Sequence, residues 1–472
     1  MRKIIFCFFA QNTIQDYTPL DLGYIVAQLA RQCRKDTEIL ELSPGSASPD
    51  DNKASLDQDV ELISYHNPRA VFFFLDNILW SGVYALGRAE KVAKKLREKL
   101  PDVFLGMQSY KFRVDETAKL LGNGIADVVV KKNPTESFRS LDKILCKEKV
   151  NGVVYFDKKK SSLIDYPESD YLESDYLESN LDHLSSPYLT GIFDNYVAKK
   201  QNDSNDQFSC FLYSTFGCPF KCFYCFRSVK HDKLRFFSVK RFFDEIEYLL
   251  DNLNVKRFFI LDDSFLSNKS RQADFTEEFE KRKKKNPGMN EIRLNAMIRP
   301  ELIDRPAVDF LESINIDWVQ IGLQTVNPKL DRYIGRQLPL KGFNDIAKWF
   351  RERGIRLHVD VIIGLPDDTL EYFKKTLEYA LKLKPYAMQV KQLYLNPDTL
   401  FFNNQEEYEI VTNKQKRRDF TVPFIVKARG IDEKYIREAT NFTIEKIRHS
   451  PSVKWKLVTI FKHFVSGFHK EI

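Results

Sequence analysis

Cysteine and histidine are scarce in this chain, with seven of each among 472 residues, and the 18 glycines fall below ordinary usage. Four of the cysteines are scattered and three crowd together, which argues against a disulfide framework and for a reduced, cytoplasmic chain with one metal site. No stretch approaches the roughly 20 apolar residues of a membrane span, so none is expected. Residues 1–10 superficially suggest a secretion signal, because a basic start precedes Ile4, Ile5, Phe6, Cys7, Phe8 and Phe9. That run is short, lacks a small-residue cleavage site and leads into an amphipathic segment, so it reads as a buried first strand. Nor is the excess charge gathered into one tail. The 73 basic and 66 acidic residues leave +7 spread along the sequence, a hint of an anionic ligand and a poor argument for nucleic acid.

The length favours two or three domains. In residues 1–150, short apolar runs at 3–9, 38–42, 70–75, 103–107 and 126–130 alternate with helical patterns such as 81–100. This predicts an α/β domain built on a doubly wound parallel sheet. Ligands of such sheets sit beyond the carboxyl ends of the strands, which marks 10–18, 76–80 and 108–112 as contact loops. Residues 151–207 read as a linker holding an acidic pentapeptide repeat, 165–179. Five residues match no common solenoid period and three copies bury no core, which leaves a solvated spacer or a docking site for a basic partner.

From 208 to 402 the alternation resumes, with strand-like runs at 210–214, 257–261, 292–296, 318–322, 357–363 and 387–395. Six strand–helix units predict a partial (β/α)6 barrel, whose ligands gather at the carboxyl ends of its strands. In the helical run 239–253, Ser238 is the expected N-cap and Phe242, Ile246, Leu249 and Leu250 form the apolar stripe. Residues 403–472 read as helical, at 432–448 and 455–468. The last segment is basic and aromatic, which fits either a terminal helix capping the barrel or a membrane-surface helix.

Cys218-Pro219-Phe220-Lys221-Cys222-Phe223-Tyr224-Cys225 follows the first barrel strand. Three thiolates on one loop can bind three irons of a four-iron cluster and leave the fourth open to a substrate. By chance such spacing arises in roughly one chain in a thousand of this composition. Zinc needs a fourth ligand; His231 lies nearby, but structural zinc sites use paired knuckles. Cys7, Cys33, Cys146 and Cys210 form no second motif, so no auxiliary cluster is expected.

The loop resembles the C-x3-C-x2-C motif of the radical S-adenosylmethionine superfamily, including Gly217-Cys218-Pro219 and Tyr224 before the last cysteine. That resemblance implies a 4Fe-4S cluster on Cys218, Cys222 and Cys225, whose open iron is chelated by the amino and carboxylate groups of S-adenosyl-L-methionine. Further resemblances follow in order across nearly all of 208–402. Phe259 to Phe265, with Asp262 and Asp263, is similar to the second-strand motif of the branch carrying an N-terminal cobalamin-binding domain. It stands where the superfamily contacts the amino end of S-adenosylmethionine. Asn295 to Arg299 resembles the segment ending in an arginine that partners a carboxylate. Gly322-Leu323-Gln324-Thr325 resembles a glycine-x-glutamate-serine motif, with Gln324 in place of the carboxylate on a sugar hydroxyl. Gly364-Leu365-Pro366 resembles the bend near the adenine, and Pro397-Asp398-Thr399 a later proline-glycine-threonine motif.

Ser185 to Gly191 resembles the linker after the cobalamin domain in that branch, which makes residues 1–150 a present or former cobalamin domain. Against this, Lys132-Asn133-Pro134-Thr135 replaces an expected glycine-glutamate pair of repeats, and Gly106-Met107 replaces a glycine pair that gives room to a corrin ring. No D-x-H-x-x-G motif marks a lower cobalt ligand. The resemblance implies a radical enzyme acting on an unactivated carbon, by cobalamin-dependent methyl transfer or by ring formation or rearrangement. It also implies a low-potential electron donor such as flavodoxin or ferredoxin. Methylthiotransferases share the architecture but carry three more cluster cysteines in another pattern. An iron–sulfur sensor is the non-enzymatic alternative. The substrate, whether peptide, lipid or small metabolite, is not encoded in any motif.

Overall fold

The structure, a computed structural model, describes residues 2–9, 20–27, 29, 36–42, 49–75, 86–109, 114–131, 134–157, 159–166, 180–203, 208–225, 233–263, 265–335, 340–396, 399–417, 420–448, 450, 453 and 455–459. The chain divides into two compact units. One is built mainly on Met1–Phe208, the other on Ser209–Leu250, Asn254–Gln415 and Val422–Ile472.

Each apolar run at the start of the chain forms a strand: β1 (Ile4–Phe9), β2 (Thr37–Leu42), β3 (Ala70–Phe74), β4 (Phe104–Gln108) and β5 (Val128–Val130). They pair in parallel in the order β2-β1-β3-β4-β5. This is the doubly wound arrangement, with its switch point between β1 and β3. Two strands not expected from the sequence, β6 (Val153–Asp157) and β7 (Ser162–Tyr166), extend the sheet in antiparallel fashion into the stretch read as a linker. The repeat begins inside β7, and residues 167–179 lie outside the described residues. So do the contact loops 10–18 and 76–80, residues 110–112 of the third, and Lys132 and Asn133.

Both faces of this sheet are covered, as the continuous apolar strands require. Ile5, Val71, Phe73, Leu105 and Val129 share a core with Val92 and Leu96 of the helix Leu86–Lys99. On the opposite face Phe6, Phe72 and Phe74 surround Phe138, with ring centroids 5.0–5.7 Å from its own. Gly106 belongs to this packing: a Cβ there would lie 2.3 Å from the Phe72 ring and 3.1 Å from Val128. The close approach that demands glycine is to an aromatic core, not to a ligand. Cys7 is fully buried and its thiol is pushed well above the usual range by that burial, the behaviour of a small hydrophobe.

The second unit carries seven parallel strands in the order β18-β15-β14-β13-β12-β11-β8. Six are the barrel strands: β8 (Cys210–Leu212), β11 (Arg257–Ile260), β12 (Arg293–Ile298), β13 (Ile316–Gln324), β14 (Arg356–Ile363) and β15 (Ala387–Gln392). Between β8 and β11, the short strands β9 (Thr215–Phe216) and β10 (Arg235–Phe236) pair antiparallel. The helix Val239–Leu253 begins at Ser238, whose hydroxyl accepts from Arg241 N at 3.1 Å, and it buries the predicted stripe of Phe242, Ile246, Leu249 and Leu250.

The region after 403 departs from its helical reading. The helix Glu433–Arg448 is present, but β16 (Val411–Arg417) and β17 (Phe420–Lys427) form a hairpin. The seventh strand, β18 (Trp455–Thr459), pairs with β15 where a terminal helix was expected. Its five residues suit either period, and an open sheet edge decided between them. Among the described residues no helix is long and apolar enough to cross a membrane.

Candidate functional site

β8 and β9 deliver the chain to Gly217, whose φ of +99° turns it into the cysteine loop. Cys218 and Cys222 are buried and Cys225 is half-buried. Burial pushes the Cys218 thiol up; the Phe220 N–H counters this, while Asp263 and Cys222 add to it. Asp263 itself accepts from Gly217 N at 3.2 Å, so it lies at the head of the loop. Arg299, leaving β12, donates from Nη1 to Cys222 Sγ at 3.1 Å and from Nη2 to Gly335 O at 2.7 Å, and its guanidinium stacks 3.7 Å from the centre of the Phe220 ring. The Cys222 thiol donates to Ile334 O at 3.1 Å. Loss of that proton to a metal would remove this bond and strengthen the one from Arg299, because charge-assisted bonds are the stronger kind. Gly335 borders the loop at φ +58°, a left-handed conformation that favours glycine, and a Cβ there would stand in ordinary contact, 3.6 Å from Cys222 Sγ.

This donor set fits an iron–sulfur cluster. Three thiols lie on one short loop, a guanidinium compensates thiolate charge, and a side-chain-free backbone borders the sulfur. Among the described residues no three His, Cys, Asp or Glu side chains converge on a single metal ion, as a zinc site needs, and His231 lies outside them.

The remaining predicted residues lie at or beyond the carboxyl ends of the strands, except Asn295, which is the third of six residues of β12, and Asp262 departs from its expected role. Asp262 is buried and faces backbone: it accepts from Ser214 N at 2.6 Å and Thr215 N at 3.0 Å, and from the Ser214 hydroxyl. It therefore pins the end of β8 rather than presenting a free carboxylate. Burial raises its pKa from 3.8 to about 6 against those donors. Protonation thus favours the folded chain, and that stabilisation, complete below about pH 4, is lost as pH rises through 6. The wild type is expected to lose about 2 kcal/mol relative to Asp262→Asn between pH 4 and 6. Denaturant midpoints across that range check this, and a pH-independent difference would refute it.

Tyr224 lies within the loop, its carbonyl accepting from Asn396 Nδ2 at 3.2 Å. Gln324 ends β13 at φ +62°, where the register with β14 shifts between Gly322 and Gln324. Such strained bulges re-aim side chains and concentrate at functional sites. Gly364, at φ +88°, borders open space, with nothing within 4 Å of a Cβ placed there. Asn295 Oδ1 is buried with no hydrogen-bond partner. Arg299 Nε is likewise a buried donor without a partner, an N–H left for a ligand. Thr399 caps the helix Leu400–Asn403, and Pro397 and Asp398 lie outside the described residues.

Beyond Asn295, motif reading missed a set of residues on the face of the sheet opposite the helices. Parallel strands buried on both faces are ordinarily apolar throughout. Here Val319, Ile321, Val359, Val361 and Val390 are fully buried on one face, while Asn295, Gln320, His358, Asp360, Gln389 and Lys391 alternate with them on the other. Gln320 Nε2 donates to Asp360 Oδ2 at 2.7 Å, and His358 Nε2 lies 3.3 Å from Asp360 Oδ1. Burial opposes ionisation of Asp360, but Lys391, His358 and Gln320 together hold its pKa below the ordinary value. Phe211, Phe259, Trp318 and His358 make a chain of edge-to-face ring contacts along the same face. A polar, partly aromatic inner face at period two is the signature of a ligand cavity, and it was visible in the sequence as Trp318-x-Gln320-x-Gly322-x-Gln324 and His358-x-Asp360.

Residues 212–380 match the model of the radical SAM superfamily. The whole fold is similar to that of TsrM from Kitasatospora setae, a radical S-adenosylmethionine methyltransferase solved with cobalamin and a 4Fe-4S cluster bound. The TM-score is 0.69 at 15% identity, covering 98% of this chain and 94% of that one. TsrM has also been solved with its tryptophan substrate and an S-adenosylmethionine analogue. A second similar structure is the cobalamin-dependent S-adenosylmethionine radical enzyme OxsB with aqua-cobalamin bound, at TM-score 0.55 and 14% identity over 86% of this chain and 56% of that one. Among curated proteins, an uncharacterized methyltransferase of Pyrococcus horikoshii is 27% identical over 161 residues. The match spans 34% of this chain and about a third, 34%, of that relative's length.

Proposed function

We propose that this chain, whose residues 212–380 match the radical SAM superfamily model, is a cobalamin-dependent radical S-adenosylmethionine methyltransferase whose cluster is held by Cys218, Cys222 and Cys225. The observation that carries this reading is the fold: the likeness to TsrM runs through the N-terminal sheet as well as the barrel, over 98% of the chain. Methyltransferase also appears in the name of the Pyrococcus relative.

When bound, the cluster supplies one electron to the sulfonium of S-adenosylmethionine. The chain's own residues do the rest. The unpartnered Nε of Arg299 and the carboxylate of Asp263 stand beside the cysteine loop, where they would meet the carboxylate and ammonium of the methionyl end. Gln324 and Asn295 offer amide groups to sugar hydroxyls, Gly364 leaves room for the adenine, and Tyr224 borders the cluster. Asp262 acts at one remove by fixing the backbone of Ser214 and Thr215. The polar inner face, with Asp360 ionised, suits a substrate that carries polar groups, and the electron would come from a low-potential donor of the flavodoxin or ferredoxin kind.

After anaerobic reconstitution with excess hydroxocobalamin and desalting, about one cobalamin per chain is expected to remain, with a shifted absorption spectrum. Complete removal would sink the methyltransferase reading. The close packing of Gly106 against Phe72 favours a second reading, a retained scaffold domain beneath a cobalamin-independent enzyme that forms rings or rearranges its substrate.

A further inference from the structure

Phe223 stands between two of the three clustered cysteines, and its backbone is bonded on both sides. Its N–H donates to Tyr333 O at 2.8 Å, and its carbonyl accepts from Phe401 N at 3.2 Å. Its ring sits in a cage of Tyr333, Phe401 and Tyr408, at centroid distances of 5.4, 5.7 and 6.4 Å. The half of the loop carrying Cys222 and Cys225 is therefore placed by what holds Tyr333 and Tyr408.

Both are touched by the Arg429 side chain, and Arg332 Nη2 also donates to the Tyr333 hydroxyl, at 2.6 Å. The Arg429 guanidinium binds Asp367 through two parallel bonds of 2.6 and 2.7 Å, donates to the Tyr333 hydroxyl at 3.1 Å, and lies 5.0 Å from the centre of the Tyr408 ring. The Tyr333 hydroxyl in turn donates to Asp367. Arg429 also bonds through its backbone, accepting from Asp367 N at 2.7 Å and donating to Tyr408 O at 2.8 Å. Asp367 is a non-glycine residue at φ +64°, a conformation that persists only when its surroundings over-determine it. It follows Gly364-Leu365-Pro366, so the same brace joins the loop beside the open space at Gly364 to the segment 333–335 that borders Cys222.

We propose that Arg429, acting through Asp367 and Tyr333, is a positioning residue for the cluster. It presets the separation of Cys222 and Cys225, so that the cluster keeps its irons and a single electronic environment. This rests on the three-cysteine cluster proposed above and assigns a role to a residue beyond the barrel proper. The Arg429–Asp367 pair is about one-third exposed, and such pairs contribute little to global stability. The planar, two-pronged geometry is what a lysine or glutamine does not reproduce. Outer partners that orient metal ligands act on metal retention more than on folding.

The test uses full-length protein with an anaerobically reconstituted cluster, in wild type, Arg429→Gln, Arg429→Lys and Tyr333→Phe. Iron loss to a chelator, the electron paramagnetic resonance spectrum after dithionite reduction and the thermal midpoint are read on each. Arg429→Gln is expected to load the cluster, to lose iron about 10-fold faster, and to show altered or heterogeneous g values at an essentially unchanged midpoint. Arg429→Lys should fall between it and the wild type. If Arg429→Gln fails to fold, Tyr333→Phe decides, since it removes one hydroxyl and leaves the cage. Wild-type iron loss and spectra in every folded variant overturn the proposal and leave the cluster standing, as does faster loss that merely follows a lowered midpoint. A wild type that loads no cluster overturns the cluster reading itself, and this proposal with it.

Discussion

Cys222→Ala protein, purified and reconstituted anaerobically, is expected to lack the visible absorbance of an iron–sulfur cluster entirely, while Cys146→Ala keeps all of it. Three thiolates are the minimum the loop can offer a four-iron cluster with one open iron. Cys222 is the member with the most tightly defined surroundings, between Arg299 at 3.1 Å, Ile334 O and the bare backbone of Gly335. Among the described residues of the same compact unit the one thiol outside the loop, Cys210, is buried in β8. Alanine also removes the sulfur partner of Arg299, which then keeps its Nη2 bonds to Glu301 and Gly335 O, so the loop loses both a ligand and a charge-assisted contact. Iron and sulfide per chain, measured beside the spectrum, check the result. Equal loss in the Cys146→Ala protein would show that the absorbance comes from non-specific iron.

Supplied with dithionite, the reconstituted wild type is expected to convert S-adenosylmethionine to 5′-deoxyadenosine and methionine, and Cys225→Ala to form neither. This effect should be all or none, because without a third thiolate there is no open iron to hold the amino and carboxylate groups near a reductant. Positioned donors multiply the effect, and Arg299→Gln should retain the cluster but cleave S-adenosylmethionine more slowly, by about 10- to 100-fold, as expected for a lost charge-assisted contact of roughly 1.5–3 kcal/mol. Chromatography of the nucleoside product measures both. A fully loaded wild-type cluster that gives no product with several reductants would favour the sensor over the enzyme.

How legible the site was depends on where its parts lie in the chain. The three cysteines sit on one loop of eight residues, so their spacing alone carried the chemistry. Asp262 and Asp263 were read together, yet the structure gives them different partners. Both lie beyond the end of β11, where the structure turns Asp262 to the backbone of residues 214–215 and leaves Asp263 by the head of the cysteine loop. The inner-face set of Gln320, His358, Asp360 and Lys391 was written in period-two alternation, but it acquires meaning only once the strands are known to be parallel neighbours. Arg429, Tyr408 and Phe401 had no local signature at all.

By itself the sequence determined the two α/β units, most of the strands that build them and the spacing of the three clustered cysteines. Each of these rests on periodicity or spacing within a few residues, where local sterics and ligand geometry act directly. Tertiary structure alone decided that Trp455–Thr459 is a strand, that β6 and β7 continue the first sheet, and that Gly106 faces Phe72. It alone also brought Arg429 to Asp367, 62 residues away. Such outcomes depend on which edge is open and which partner arrives across a long loop, and the cost of closing that loop is repaid only by contacts that no local pattern encodes.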